Sequence, residues 1–268
     1  MLAAGDTPDV VLLAWAGKSL PARLMPLHDD MLAALRLVRG LARAPAAQRD
    51  AALALAEALE RAARGEDERA IAPEFLAIAC ASPPVAAMTA QLLQATRREL
   101  ALALRGEAAL FAGWSDFYSH ARFSLVPVGR TLLGAADIAG ETEAMDALMT
   151  AVALIALLQE AALRYRSAGT VSLPLQWLSG EGLSGIELGG RRSSASLRRA
   201  FARGTDRAYE LLAIAGPTRG LRSIGDHASA SNLLAHRLVR RLKRRDPLAR
   251  PVALGLFDRL GLRLMRHA

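Results

Sequence analysis

Residues 142–169 read TEAMDALMTAVALIALLQEAALRYRSAG. Alanine and leucine dominate, and both favour the helix. No proline or glycine interrupts the stretch before Gly169. Over 148–158 the chain is apolar apart from Thr150, and a helix that is apolar nearly all round belongs in the middle of a protein. Thr142 is placed to cap this helix and Gly169 to end it. The run is shorter than the roughly 20 residues that a bilayer crossing needs. The stretch therefore predicts the central, buried helix of an all-α domain.

Working outward, apolar residues recur at helical spacing along nearly the whole chain, and strand-like alternation is almost absent. The pattern predicts helices over 29–43, 48–64, 84–105, 107–122, 126–138, 193–215 and 231–245, and a short one over 251–266. Gly65 follows the second of these where a terminating glycine belongs. Ser231 reads as the cap of the helix over 231–245, and Asp246-Pro247 as its stop. Residues 10–15 read as a core or docking helix. The stretch 170–190, rich in Gly, Ser and Leu, is the one irregular segment. The expected architecture is a single domain over 1–268, a helical bundle round a central cavity.

The chain has 268 residues, 52% of them hydrophobic, which excludes a disordered protein. One cysteine, Cys80, excludes a disulfide framework and fits a reducing compartment. The beginning of the chain lacks a basic region and a small-residue cleavage site, so no secretory signal is expected. Charge is uneven: residues 1–190 carry a net charge of −5 and residues 191–268 a net charge of +13. The basic C-terminal third, 191–268, is expected to meet a membrane surface or a partner protein. Nucleic acid is disfavoured, because only Phe201, Tyr209 and Phe257 are aromatic there.

Two segments carry a resemblance. Residues 114–130 read WSDFYSHARFSLVPVGR, and residues 146–174 run from Asp146 through Gln159, Glu160, Arg164 and Gly169 to Leu173-Pro174. They resemble the squalene/phytoene synthase family, most closely its bacterial hydroxysqualene synthase branch. The family patterns are W-x-x-L-x-x-Y-C-x-x-S-A-x-P-V-G-R and Q-D-x-x-x-D-x-x-x-G-R-x-Y-L-P. Trp114, Ser124 and Pro127-Val128-Gly129-Arg130 stand at the family spacing, while His120-Ala121 replaces Tyr-Cys. Fainter likeness runs through Leu24-Met25-Pro26 and Arg39, through Leu92 to Glu99, and through His236 to Asp246. The resemblance implies the all-α isoprenoid synthase fold. It also implies head-to-head joining of two prenyl diphosphates, with Mg²⁺ held by two aspartate-rich motifs.

This chain departs from that pattern at the acids. Where D-D-x-x-D should follow Arg39, residues 40–46 read GLARAPA. The second motif reads Glu160-Ala-Ala-Leu-Arg164, and the polar residues one and two turns earlier are Ala153 and Ala156. Spacing predicts that Arg164 pairs with Glu160. A lone glutamate beside an arginine is a poor seat for Mg²⁺, which takes carboxylate and phosphate oxygens, so no cofactor is expected. His28-Asp29-Asp30 reads as helix-start chemistry, His120 as a core or cavity-wall residue, and Cys80 as a small buried hydrophobe.

The resemblance then leaves two readings. In one, the chain is catalytically dead or strongly impaired and binds a prenyl diphosphate or lipid, or assists assembly, with Arg39, Arg130, Gln159, Glu160, Arg164 and Arg166 facing the ligand. In the other, it is an active head-to-head prenyltransferase of squalene, hydroxysqualene or phytoene type with altered metal dependence, Mg²⁺ included. A cytoplasmic, bacterial protein, peripheral at the inner membrane, is expected in either case.

Overall fold

The computed structural model describes residues 6–66, 71–106, 109–138, 140–216, 224–246, 248–249, 252–255 and 258. The helices in chain order are α1 (Pro8–Gly17), α2 (Met25–Ala42), α3 (Arg49–Ala63), α4 (Pro73–Ala79), α5 (Pro83–Leu104), α6 (Trp114–Ala135), α7 (Thr142–Ala168), α8 (Leu175–Ser179), α9 (Ala195–Ala215) and α10 (Gly225–Arg244). Among the described residues there is no strand, only an isolated parallel bridge between Ala109 and Val171.

α7 is the axis. Leu148, Leu154, Ile155 and Leu158 are all buried along it, and α6, α9 and α10 pack round it. Its length and hydropathy would also suit a membrane span, yet 83% of its most apolar window is buried among the other helices. That is the position of a core helix. Close approach is made by glycine. A Cβ on Gly129 of α6 would lie 2.6 Å from Met149 Cγ and 2.7 Å from Met145 Cγ. On Gly204 of α9 it would lie 2.8 Å from Leu158 Cδ2. The glycine of P-V-G-R is thus a point of close approach between α6 and α7.

Several boundaries differ from the sequence reading. The helices expected over 107–122 and 126–138 are one helix, α6, with Pro127 inside it. Proline costs about 3 kcal/mol in a helix interior, but Leu125, Val126 and Val128 on either side are buried and hold the helix together. Residues 109–112 are not helical, because they run beside 171–176: Leu110 N–H donates to the Val171 carbonyl (3.0 Å) and Leu175 N–H to the Phe111 carbonyl (2.9 Å). The segment 170–190 also holds α8, whose Trp177 stacks on Trp114 at 5.8 Å.

Thr142 opens α7 instead of capping it; Glu141 holds the cap position. Gly169 does end it, in the left-handed region at φ 65°. Ser231 is not a cap, because α10 begins at Gly225 and buries Ser231 mid-helix. Small residues upstream, Ala228 and Ala230, extend its buried face. Pro247 and most of the helix expected over 251–266 lie outside the described residues. The segment 10–15 falls inside α1, which is packed against α2, α7 and α10.

Candidate functional site

A cleft of about 350 Å³ opens where four helices meet. The end of α2 and the following turn supply Ala42, Arg43 and Pro45; α3 supplies Arg49; α5 supplies Glu99 and Leu100; α7 supplies Leu163 and Arg164, and Thr170 follows it. The helix ends converge here because Pro45 and the left-handed Gly169 stop their helices at the same level.

A chain of charges crosses the cleft. Arg43 Nη2 donates to Glu160 Oε1. Arg164 Nε donates to Glu160 Oε2 at 3.0 Å, as the i,i+4 spacing predicts. Arg164 Nη1 donates to Glu99 Oε1 on α5. Glu99 Oε2 then faces His120 Nε2 at 3.5 Å. Glu99, Glu160 and Arg164 are all buried. Burial opposes the charge on Arg164, but the flanking Glu99 and Glu160 carboxylates outweigh it and hold the guanidinium above its ordinary range. Burial pushes His120 down to about 4, Glu99 opposing and Arg164 and Arg39 adding to the effect. His120 is therefore neutral at pH 7 and packs against Phe111 at 5.1 Å.

Arg49 is placed differently from the other cleft arginines. Its Nη2 donates to the Ala168 carbonyl (3.1 Å) and to Thr170 Oγ1 (3.2 Å). Both partners are neutral, and among the described residues no carboxylate pairs with it. The negative end of α7 steadies the guanidinium, and its charge stays available at the rim.

Of the residues expected from sequence, Glu160 and Arg164 meet at the cleft and the others do not. Arg39 is buried behind it, donating to Asp9 Oδ2 from Nε (2.9 Å) and Nη2 (2.5 Å), and to the Ser124 carbonyl (3.3 Å). Arg130 is exposed and paired with Asp146 at 2.9 and 2.6 Å. Gln159 Nε2 donates to the Val252 carbonyl. Arg166 is exposed and bonded to the Gly190 (3.0 Å) and Leu248 (3.1 Å) carbonyls. Sequence reasoning missed Glu99, Arg43 and Arg49 as cleft residues. Glu99 had a signal: it lies on the same face of α5 as buried Leu92 and Thr96, where an acid needs a partner. Arg43 had one too, since it stands inside the segment where an acidic motif is missing.

The family's Mg²⁺ does not suit this donor set. Both oxygens of Glu160 are taken by guanidinium groups, one oxygen of Glu99 is taken by Arg164, and three arginines line the same space. Among the described residues no three His, Cys, Asp or Glu side chains converge. A divalent cation would meet positive charge here before it met a free carboxylate.

No family model matches the chain. It is 31% identical over 152 residues to a hydroxysqualene synthase of Rhodopseudomonas palustris, covering 54% of this chain and 51% of the relative. It is 27% identical over 184 residues to that of Zymomonas mobilis, covering 66% and 59%. The matched part thus spans only half to three-fifths of the length of these relatives. Among solved structures, the squalene synthase HpnC of Alicyclobacillus acidocaldarius superposes with a TM-score of 0.64 at 25% identity, covering 86% of this chain and 87% of that one. A dehydrosqualene synthase in complex with ligand gives 0.69 at 16% identity, covering 96% and 92%, and shows the shared fold alone. The sequence matches and the common all-α isoprenoid synthase architecture together support the squalene/phytoene synthase family for this chain.

Proposed function

We propose that this protein binds one prenyl diphosphate or a similar anionic isoprenoid lipid and does not ionise it. One observation carries this reading: the Arg43–Glu160–Arg164–Glu99 chain occupies the two positions at which the family pattern sets its opposed acids. Carboxylates already bonded to arginine have little left for a metal. Leaving-group ionisation needs the developing charge on the diphosphate to be spread, and one half-buried guanidinium does this less well than a cluster of divalent ions. What the cleft offers is recognition. Arg49 at the rim, with Arg43 behind it, presents planar donors that match phosphate oxygens, and Leu100, Ala103 and Leu163 line an apolar wall for a hydrocarbon tail.

Size supports the same reading. A volume near 350 Å³ is at the low end of the roughly 300–1,000 Å³ of ligand pockets. It takes one amphiphile, and a second cleft of about 360 Å³, lined by Arg36, Arg39 and Phe75, adjoins it at Arg43.

The test is thermal unfolding with farnesyl diphosphate, inorganic pyrophosphate or farnesol, each without and with Mg²⁺, alongside an assay for released pyrophosphate. A shift with farnesyl diphosphate that needs no Mg²⁺, is weakened by Arg49→Ala and is unaffected by Arg130→Ala supports binding. Pyrophosphate released above a heat-treated control rejects it, and the protein is then an active prenyltransferase.

A further inference from the structure

The cleft uses only part of the molecule's positive charge. Most arginines of α9 and α10 are neutralised locally. Arg199 and Arg203 share Glu181, Lys243 pairs with Asp206, and Arg237 and Arg241 share Asp258. Five exposed arginines are different. Arg191, Arg192, Arg240, Arg244 and Arg245 have no carboxylate partner among the described residues.

These five are not scattered. Arg240 and Arg244 lie one turn apart on α10, with Arg245 at its end. Arg191 and Arg192 lie just before α9, and two sets of hydrogen bonds pin their segment to the end of α10. Ser193 donates to Asp246 from its N–H (2.8 Å) and its Oγ (2.6 Å). Arg166 joins the Gly190 and Leu248 carbonyls. Asp246 is thereby occupied by Ser193 and by the Leu248 N–H (2.9 Å), and among the described residues only Arg198 approaches it as a cation, at 3.7 Å. Two Arg-Arg pairs are thus held at one corner of the protein.

An exposed apolar side chain stands in the turn that precedes them in the chain. Ile186 opens the 3-10 turn Ile186–Gly189 that leads straight into Arg191, and it is 68% exposed. Leu188 in the same turn is fully buried and fixes it. Arg166, which ties the corner together, is on the last turns of α7, whose Leu163, Arg164, Ser167 and Ala168 line the cleft.

We propose that this corner docks the protein on an anionic phospholipid bilayer, with Arg191, Arg192, Arg240, Arg244 and Arg245 against the headgroups and Ile186 inserted among the acyl chains. Unpaired cations together with an exposed aliphatic side chain match a charged surface with an apolar interior. A nucleic acid would use aromatic stacking, and the exposed aromatic nearby, Tyr209, is already packed against Lys243 and His236. The docking stands independently of what the cleft binds.

The experiment is flotation of the full chain with vesicles of phosphatidylcholine, alone or mixed with phosphatidylglycerol. Binding is expected only with the anionic lipid, and it falls as salt rises. Arg191→Gln with Arg192→Gln, and Arg244→Gln with Arg245→Gln, each lower vesicle binding, by roughly fivefold per arginine. Ile186→Ser weakens it without changing the salt dependence. Arg23→Gln with Arg61→Gln removes the same charge elsewhere and leaves binding intact. Equal losses from that control pair, or retention of an RNA or of an acidic protein but not of vesicles, would overturn the proposal.

Discussion

Arg43 at the end of α2 and Glu160 in α7 stand at the two positions where the family pattern sets facing acidic motifs, and here they are bonded to each other. The substitution is electrostatic as well as chemical. Two acidic motifs repel until cations come between them, whereas an arginine facing a glutamate closes the gap alone. Once Arg164 and Glu99 join, each buried charge has a partner of opposite sign. The end of the bundle that would need metal for cohesion holds itself together by ion pairing.

That arrangement sets what single substitutions do. Arg164→Met leaves Glu99 and Glu160 buried with one partner fewer each, and should cost about 3–5 kcal/mol. Replacing Glu160 and Arg164 together, by leucine and methionine, should cost clearly less than the sum of the singles, because no lone buried charge remains. Urea unfolding of the two singles and the double checks this. Additive losses would show that the pair is not coupled.

Reversing charge at the two arginines that bond Glu160 should create what is missing. The Arg43→Asp, Arg164→Asp variant places four carboxylates round the cleft, two of them Glu99 and Glu160. Without metal it should be less stable than the parent, since the acids repel one another. With millimolar Mg²⁺ its melting temperature should rise, by mass action on the folded state, while that of the parent should not. A variant indifferent to Mg²⁺ would mean that the cleft geometry, and not only its charge, has departed from the family.

The glycine of P-V-G-R has a packing role that can be measured separately. Gly129→Ala drives a methyl group into Met145 and Met149. Methionine can yield, so a cost of about 1–3 kcal/mol is expected, read as a lower urea midpoint with an unchanged slope. Gly134, five residues along α6, has nothing within 4 Å of a Cβ. Gly134→Ala should be neutral or slightly stabilising.

Much of this fold was legible because burial and helical period coincide in the sequence. Residues 148–158 are almost wholly apolar, and they are the buried middle of the axis. The boundaries failed where two local rules conflicted with packing: Pro127 signals a break, yet buried neighbours on both sides carry α6 through it, and Ser231 resembles a cap, yet small upstream residues extend α10. The cleft was legible only where both partners share one helix, as Glu160 and Arg164 do. Arg43, Arg49 and Glu99 reach it from three other helices, and nothing local in their sequence says that those helix ends converge. Arg130 was misleading for the converse reason. It follows a close-packed glycine in the motif, and it points outward to Asp146.

Buried histidines set the acid limit of stability. His227 of α10 and His28 of α2 meet edge to face at 5.5 Å beneath α1, where a Cβ on Gly17 would lie 2.1 Å from the His28 ring. Burial pushes His227 down to about 3, the neighbouring His28 adding to the effect; burial also lowers His28, against the pull of Asp29. His120 is held near 4. In the unfolded chain all three take up protons near pH 6.5. The folded protein is therefore fully favoured above about pH 6.5 and loses stability as the pH falls, at about 1.4 kcal/mol per pH unit for each histidine that stays neutral when folded. His227→Leu should lower that slope by about 1.4 kcal/mol per unit, whatever it does to stability at pH 7. The window to read is about pH 6 to pH 5, below the histidines and above most carboxylates. Urea unfolding at stepped pH in that window decides the matter: an unchanged slope in the variant would mean that His227 is protonated in the folded protein, which its burial between α1 and α10 forbids.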